Sequence, residues 1–105
     1  MNKKATGIII LLLTLIVAEL TAICIHRNMD SIKLKRQLDL GNKYLLEENY
    51  EQAIAEFKVA IEIDPLCLDA YLGIADAYIE LEEYDEVYVI LNEGIEAFES
   101  SGNKG

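Results

Sequence analysis

The sequence repeats itself at an interval of 34 residues between Leu34 and Glu99. Identical residues that recur at this offset include Leu34/Leu68, Leu38/Leu72, Tyr44/Tyr78, Tyr50/Tyr84 and Ile61/Ile95. A fixed period of this size is typical of stacked two-helix units, each of which buries its apolar face against a neighbour. The repeat therefore predicts an all-α fold, and it favours a surface that meets a partner over a site that performs chemistry.

Each repeat unit is predicted to form a hairpin of two amphipathic helices. Apolar residues recur at helical spacing in both halves of each unit. Pro65 ends the first hairpin because proline disfavours helical geometry in the residue before it. The units span residues 34–67 and 68–99, and residues 100–105 are predicted to be a disordered tail. The predicted helices run approximately over Lys35–Glu48, Glu51–Ile63, Asp69–Leu81 and Asp85–Phe98.

An apolar segment from Ala5 to Ile25 precedes the repeats. At about 1.5 Å per residue it would extend roughly 31 Å, close to the ~30 Å hydrocarbon core of a bilayer. Its 12 Leu, Ile and Val residues each favour insertion by roughly 0.3–0.6 kcal/mol, and their sum outweighs the roughly 3 kcal/mol that Glu19 opposes. We therefore expect residues 1–27 to be a single-pass transmembrane signal-anchor, followed by a basic juxtamembrane linker over residues 28–33.

Two other fates of this segment stay open, namely a secretion signal cleaved after Ala22 and a lipid anchor at Cys24. Neither site has a small residue where cleavage favours one, because Leu20 and Ile23 occupy those positions. The orientation is open as well. The positive-inside count favours a cytoplasmic repeat domain, whereas a short basic start before an apolar run is typical of an export signal-anchor. We favour the extracytoplasmic side.

Glu19 lies within the apolar segment beside a ridge of small residues, Thr14, Ala18 and Ala22. Small residues at a four-residue spacing let transmembrane helices approach closely, and intramembrane acids usually face protein rather than lipid. These four residues are therefore a candidate contact to a partner helix. The alternative is an acid tolerated in an anchor that has no such partner.

Charge is distributed unevenly along the chain. Residues 1–36 carry six basic and two acidic residues, whereas residues 37–105 carry three basic residues and 17 acidic ones. An acidic repeat region argues against nucleic-acid binding, which needs clustered Lys and Arg. It fits either a solvated surface or electrostatic selection of a basic partner segment.

The sequence contains no motif that indicates catalysis, a metal or a cofactor. It has no glycine-rich phosphate loop and no nucleophile elbow, and the single histidine, His26, lies at the edge of the apolar segment. The cysteines Cys24 and Cys67 form no ligand cluster. Paired acids such as Glu82-Glu83 flank the turns, where they complement helix dipoles. We predict that the chain is not an enzyme and binds no cofactor.

Small and large residues alternate in a characteristic order at the packing positions of both units. They are Leu40, Gly41, Tyr44, Tyr50, Ala53, Phe57, Ala60 and Pro65 in the first unit, and Tyr71, Ile74, Ala75, Tyr78, Tyr84, Leu91 and Gly94 in the second. This pattern resembles the tetratricopeptide-repeat signature over residues 34–99. The resemblance implies a right-handed superhelix whose concave groove is lined by the first helix of each hairpin. Carried over by position, the groove residues are Lys35, Leu38, Asn42, Leu45, Asp69, Leu72, Asp76 and Ile79.

The groove implied by this resemblance combines an apolar stripe with polar and acidic borders. Leu38 stands where family members that clamp a chaperone's C-terminal carboxylate have lysine, and Asp76 would repel a carboxylate. The resemblance therefore implies a protein or peptide partner whose bound segment is basic or apolar. Alternatively, the apolar stripe packs against a neighbouring chain or against the segment before the first helix.

No further predicted helix covers the apolar residues of the last one, which include Leu91, Ile95 and Phe98. Repeat units of this type bury their faces against neighbours, and at least three are usually needed for stability. Self-association, a partner protein and the membrane surface are the candidates for covering this edge.

These observations favour a membrane-anchored adaptor or scaffold that recruits a protein or peptide partner. The competing hypothesis is a small structural or assembly subunit of a membrane complex, which would act through its transmembrane helix.

Overall fold

The computed structural model describes residues 2–102 and consists of four α-helices. They are α1 (Lys3–Leu46), α2 (Tyr50–Ile63), α3 (Leu68–Glu80) and α4 (Tyr84–Gly102). No strand occurs within these described residues. The all-α prediction is confirmed, and so is the arrangement of two helical hairpins behind a long apolar helix.

The chain divides into two compact units, Met1–Ile32 and Lys33–Gly105. The first unit contains the apolar part of α1. A window of 18 residues there has a mean hydropathy of 2.9, and no residue of this window is buried. This helix is long and apolar enough to cross a membrane, although a secretion signal shares that length and composition. α1 continues without a break through residues 28–33, where no glycine or proline interrupts it.

The second unit holds the two hairpins, formed by the last part of α1 with α2 and by α3 with α4. Phe57 of α2 is 1% exposed and packs against two backbones. A Cβ atom placed on Gly41 of α1 or on Gly73 of α3 would lie 2.5 Å from its ring. Glycine at both positions therefore lets α1 and α3 contact the ring directly, which joins the two hairpins.

The core around Phe57 is apolar, and its buried members lie on α2, α3 and α4 or in the loop between the hairpins. They are Ala53, Ile54, Phe57, Ala60, Cys67, Ala70, Tyr71, Ile74, Ala75, Ala77 and Ile90. One polar side chain at a packing position is accommodated by hydrogen bonds. The Gln37 amide donates to the Glu56 carboxylate at 2.6 Å and to the Glu56 carbonyl oxygen at 3.3 Å.

The turns inside the two hairpins have the same geometry. After α1, the Asn49 N–H donates to the Tyr44 carbonyl at 2.9 Å. After α3, the Glu83 N–H donates to the Tyr78 carbonyl at the same distance. In both turns the preceding residue is a glutamate, Glu48 or Glu82, with φ of 59°. This is the Schellman ending of a helix, a conformation in which glycine is usual.

The last helix differs from its predicted bounds. Residues 100–102, predicted as part of a disordered tail, are helical, and residues 103–105 lie outside the described part of the chain. No proline follows Phe98 to stop the helix, and the Ser101 hydroxyl donates to the Phe98 carbonyl at 2.8 Å. The helix therefore continues for one more turn.

Candidate partner-binding groove

A groove between the last part of α1 and α3 is lined by seven of the eight residues predicted for it. It has a volume of about 360 Å³. The predicted residues that line it are Lys35, Leu38, Asn42, Leu45, Asp69, Leu72 and Asp76. They meet because residues three or four apart share one face of a helix, and the corresponding faces of two successive hairpins lie side by side.

Ile79, the eighth predicted residue, lines an adjoining hollow of about 480 Å³. This hollow shares Leu45 and Asp76 with the groove and is also lined by Tyr50 and Glu48. Burial raises the pKa of the Tyr50 phenol, and the Glu80 and Glu48 carboxylates raise it further. The phenol is therefore a neutral hydrogen-bond donor at physiological pH.

Two groove residues were not predicted from the sequence, Asp39 and Gly73. Helical periodicity could have found both, because Asp39 lies one turn from Lys35 and from Asn42, and Gly73 lies one turn from Asp69. Gly73 also packs on Phe57. Gly73 therefore has two roles, since it lines the groove and also lets the two hairpins pack together.

The groove has an apolar base and an acidic border. Leu72 is 47% exposed, whereas Leu38 and Leu45 are half-buried. Three carboxylates line the groove, those of Asp39, Asp69 and Asp76, against the single cation of Lys35. Leucine side chains that are partly accessible to solvent beside fixed negative charge can bury an apolar segment and attract a basic one.

The residues predicted as a transmembrane contact lie exposed on the first part of α1. Thr14, Ala18 and Ala22 follow one stripe of the helix, and Glu19 lies beside it. The Thr14 hydroxyl donates to the Leu11 carbonyl at 2.7 Å. Its hydrogen is therefore satisfied within the helix, and the small side chains leave a surface that another helix could approach closely.

Comparison with known families identifies a match to the tetratricopeptide repeat over residues 44–101. The match covers more than half of the 105-residue chain and reaches from the end of α1 into the last turn of α4. Comparisons with curated proteins and with solved structures find no match.

Proposed function

Because this chain belongs to the tetratricopeptide-repeat family, whose repeats are typically non-catalytic modules that bind proteins, we propose that it is a membrane-anchored adaptor. In this proposal the apolar part of α1 crosses the bilayer and the groove between α1 and α3 recruits a protein or peptide partner. Tethering the groove raises the effective concentration of that partner at the membrane. The chain acts by binding and carries out no reaction.

The composition of the groove is the observation that most supports the recruitment of a partner. Exposed Leu72 lies between Asp69 and Asp76, so an occupant gains by burying apolar side chains and by bringing positive charge. We expect an extended or helical segment that carries leucine-like residues with lysine or arginine nearby.

Charge reversal in the groove tests this occupant. The full chain is reconstituted in nanodiscs, and two fluorescent peptides of equal length are titrated onto it, one alternating leucine with lysine and the other alternating leucine with glutamate. The wild type should bind the lysine peptide more tightly. Asp76→Lys should reduce that preference by about tenfold, since close charge pairs at interfaces contribute about 1–2 kcal/mol or more.

Glu62→Lys is the matched control, because Glu62 is exposed on α2 and does not line the groove. It makes the same change in net charge and should leave the preference close to that of the wild type. Equal effects of the two substitutions, or equal binding of the two peptides to the wild type, would contradict a specific groove.

The second candidate function is a subunit of a membrane complex that acts through its transmembrane helix. The observation that favours it is the Glu19 carboxylate beside the stripe of Thr14, Ala18 and Ala22 on an exposed helix. Two variants separate the candidates. Glu19→Leu should leave an adaptor active and disable a subunit, whereas Leu72→Asp combined with Ile79→Asp should do the reverse.

We propose that the repeat domain lies on the extracytoplasmic side. Labelling an added thiol with a membrane-impermeant maleimide tests this. The two native cysteines should give little background, because Cys67 is buried and Cys24 lies in the apolar segment. Ser100→Cys places a thiol on an exposed part of α4. It should react in intact cells, and reaction only after lysis would place the domain in the cytoplasm.

A further inference from the structure

A second apolar surface lies at the other end of the repeats, between α3 and α4. This pocket has a volume of about 330 Å³. It is lined by Leu68, Tyr71, Leu91, Gly94, Ile95, Phe98 and Glu99, none of which lines the groove described above. Ile95 is 55% exposed and Phe98 is 42% exposed, so the pocket presents substantial apolar area to solvent.

In the first repeat unit, the surface of α2 that corresponds to this pocket is covered by another helix. Leu91 is equivalent to Phe57 at the 34-residue offset, but Phe57 is 1% exposed and Leu91 is 37% exposed. The difference arises because α3 packs onto α2, where the Gly73 backbone contacts the Phe57 ring. No helix takes that place on α4 among the described residues.

The face of α3 that covers α2 is made of small residues. Gly73 contacts Phe57, and Ala70 and Ala77 lie on the same face at helical spacing with no exposed surface. A helix that covers α4 in the same manner therefore needs small side chains at positions with the spacing of 70, 73 and 77. Small side chains let two helices approach to the short separation seen between α2 and α3.

A second copy of this chain does not meet that requirement head to tail. The residues of α1 equivalent to Ala70, Gly73 and Ala77 are Arg36, Asp39 and Lys43, all exposed. Placing that face on the α4 pocket would bury three charged side chains against apolar residues, which is strongly unfavourable.

A symmetric pairing of two α4 helices does not meet that requirement either. The face of α4 that lines the pocket carries the large side chains of Leu91, Ile95 and Phe98 beside Gly94, so two copies could not approach as closely as α3 approaches α2. Charge acts in the same direction, although only Glu99 of the five acidic residues of α4 lines the pocket. Because α4 has no basic residue, its net negative charge opposes a second α4 helix and attracts a basic partner.

We propose that the pocket between α3 and α4 docks a helix of a second protein, and that this helix has small residues at the spacing of 70, 73 and 77 with lysine or arginine beside them. It would occupy the position on α4 that α3 occupies on α2. The chain would then bind two partners at once, one in the groove and one at the end of the repeats.

The probe is a peptide with the sequence of α3, Leu68–Glu80, in which Asp69→Lys, Asp76→Lys and Glu80→Lys supply basic flanks. A hydrocarbon link between positions 72 and 79 holds it helical, because a peptide of this length is not stably helical in water. Fluorescence anisotropy measures its binding to the full chain in nanodiscs.

The decisive variant is Ile95→Asp, which places a charge in the pocket at an exposed position. It should weaken binding about tenfold or more, because the docked helix would bury that charge. Val89→Asp is the matched control on the same helix, since Val89 is 49% exposed and lies on the opposite face from the pocket. It should bind the peptide as the wild type does.

A second peptide tests the requirement for small residues. It carries Ala70→Arg, Gly73→Asp and Ala77→Lys, which reproduce the residues of α1, and it should not bind. Raising the salt concentration should weaken binding of the first peptide, because the charges at the rim are screened.

Three outcomes would overturn the proposal. They are absence of binding to the wild type, equal binding by the wild type and Ile95→Asp, and equal loss in Ile95→Asp and Val89→Asp. Sedimentation of the nanodisc complexes is measured in parallel. A dimer that Ile95→Asp dissociates would assign the pocket to a second copy instead.

Discussion

At the scale of single residues, the contact between Phe57 and two glycines determines whether the hairpins can pack together. An added methyl group on Gly41 would lie 2.5 Å from a ring that is itself 1% exposed. The ring has little room to move, because Gly73 is equally close to it. At the 34-residue offset, the second unit has Ala75 and Leu91 at the positions of Gly41 and Phe57.

Gly41→Ala should therefore lower the free energy of unfolding by about 1–2 kcal/mol. Overpacking of a core opposes folding by about 1–3 kcal/mol, and the better helix propensity of alanine recovers only about 1 kcal/mol. Adding Phe57→Leu reproduces the pair of the second unit. A double-mutant cycle in urea should then show favourable coupling between positions 41 and 57. Gly102→Ala, which meets nothing within 4 Å, serves as the control, and additive effects at 41 and 57 would contradict the contact.

Tyr71 makes stability depend on pH in the alkaline range. Its hydroxyl donates to the Pro65 carbonyl at 2.8 Å. Burial raises the pKa of the phenol, and the nearby Glu93, Asp64 and Cys67 raise it further. The folded state thus holds the proton more tightly than the unfolded chain, whose tyrosines titrate near pH 10. The associated stability is fully present below about pH 10 and is lost as the pH rises through the raised value.

Urea denaturation between pH 8 and pH 11 should show this loss, and Tyr71→Phe should reduce the slope above about pH 10. The substitution should also remove about 1 kcal/mol at neutral pH, because the hydrogen bond to Pro65 disappears. Tyr88→Phe is the comparison variant, since Tyr88 is 72% exposed. If Tyr71→Phe and the wild type had the same alkaline slope, the assignment to Tyr71 would be wrong.

At the scale of secondary-structure elements, the two turns inside the hairpins hold glutamate where glycine is usual. Glu48 and Glu82 lie at equivalent positions, 34 residues apart, and both have φ of 59°. The left-handed conformation opposes folding by roughly 1–2 kcal/mol for a residue that has a Cβ atom. Each turn therefore retains unfavourable backbone energy that the surrounding hydrogen bonds outweigh.

Glu48→Gly and Glu82→Gly should each raise the free energy of unfolding, by about 0.5–1 kcal/mol. Glycine removes the steric conflict, although it also increases the entropy of the unfolded chain. Glu47→Gly is the matched control one residue earlier, where φ is not positive, and it should destabilise by a similar amount. Thermal melts followed by circular dichroism measure all three variants. Stabilisation by Glu47→Gly would show that the effect is unrelated to φ.

At the scale of the whole molecule, the proposed anchor should determine how the chain partitions. No residue of the most apolar window of α1 is buried. A long apolar surface left open in this way is expected of a helix that contacts lipid or another apolar surface. The full chain should stay with membranes after an alkaline carbonate wash. Leu12→Arg with Val17→Arg should release it, because two arginines near the centre oppose insertion by about 5–7 kcal/mol.

Asn28→Arg with Ser31→Arg adds the same charge outside the apolar segment and should leave the chain in the membrane pellet. Retention of the Leu12→Arg, Val17→Arg variant would mean that α1 is not what holds the chain. N-terminal sequencing of the membrane-bound protein separates a retained anchor from a cleaved signal.

The number of helices came from the structure, because the predicted anchor, linker and first repeat helix form one continuous helix, α1. The sequence by itself determined the all-α fold and the division into two hairpins, and it predicted the faces of the groove. It did so because these features follow from short-range periodicity: residues three or four apart share a helix face, and the 34-residue offset copies each face from one hairpin to the next. Even the additional groove residues, Asp39 and Gly73, obey this periodicity.

The tertiary structure alone decided which of those faces are covered. Phe57 and Leu91 occupy equivalent positions, yet Phe57 is buried and Leu91 is exposed. The first helix of the next hairpin, α3, covers Phe57, and no helix among the described residues covers Leu91 in that way. The burial of a residue depends on which residues pack against it in the folded chain. The repeat pattern does not contain this information, because the pattern of one unit is the same whether or not another helix packs on it. The left-handed Glu48 and Glu82 also escaped sequence reasoning, since hydrogen bonds from the chain on both sides hold them there against their intrinsic preference.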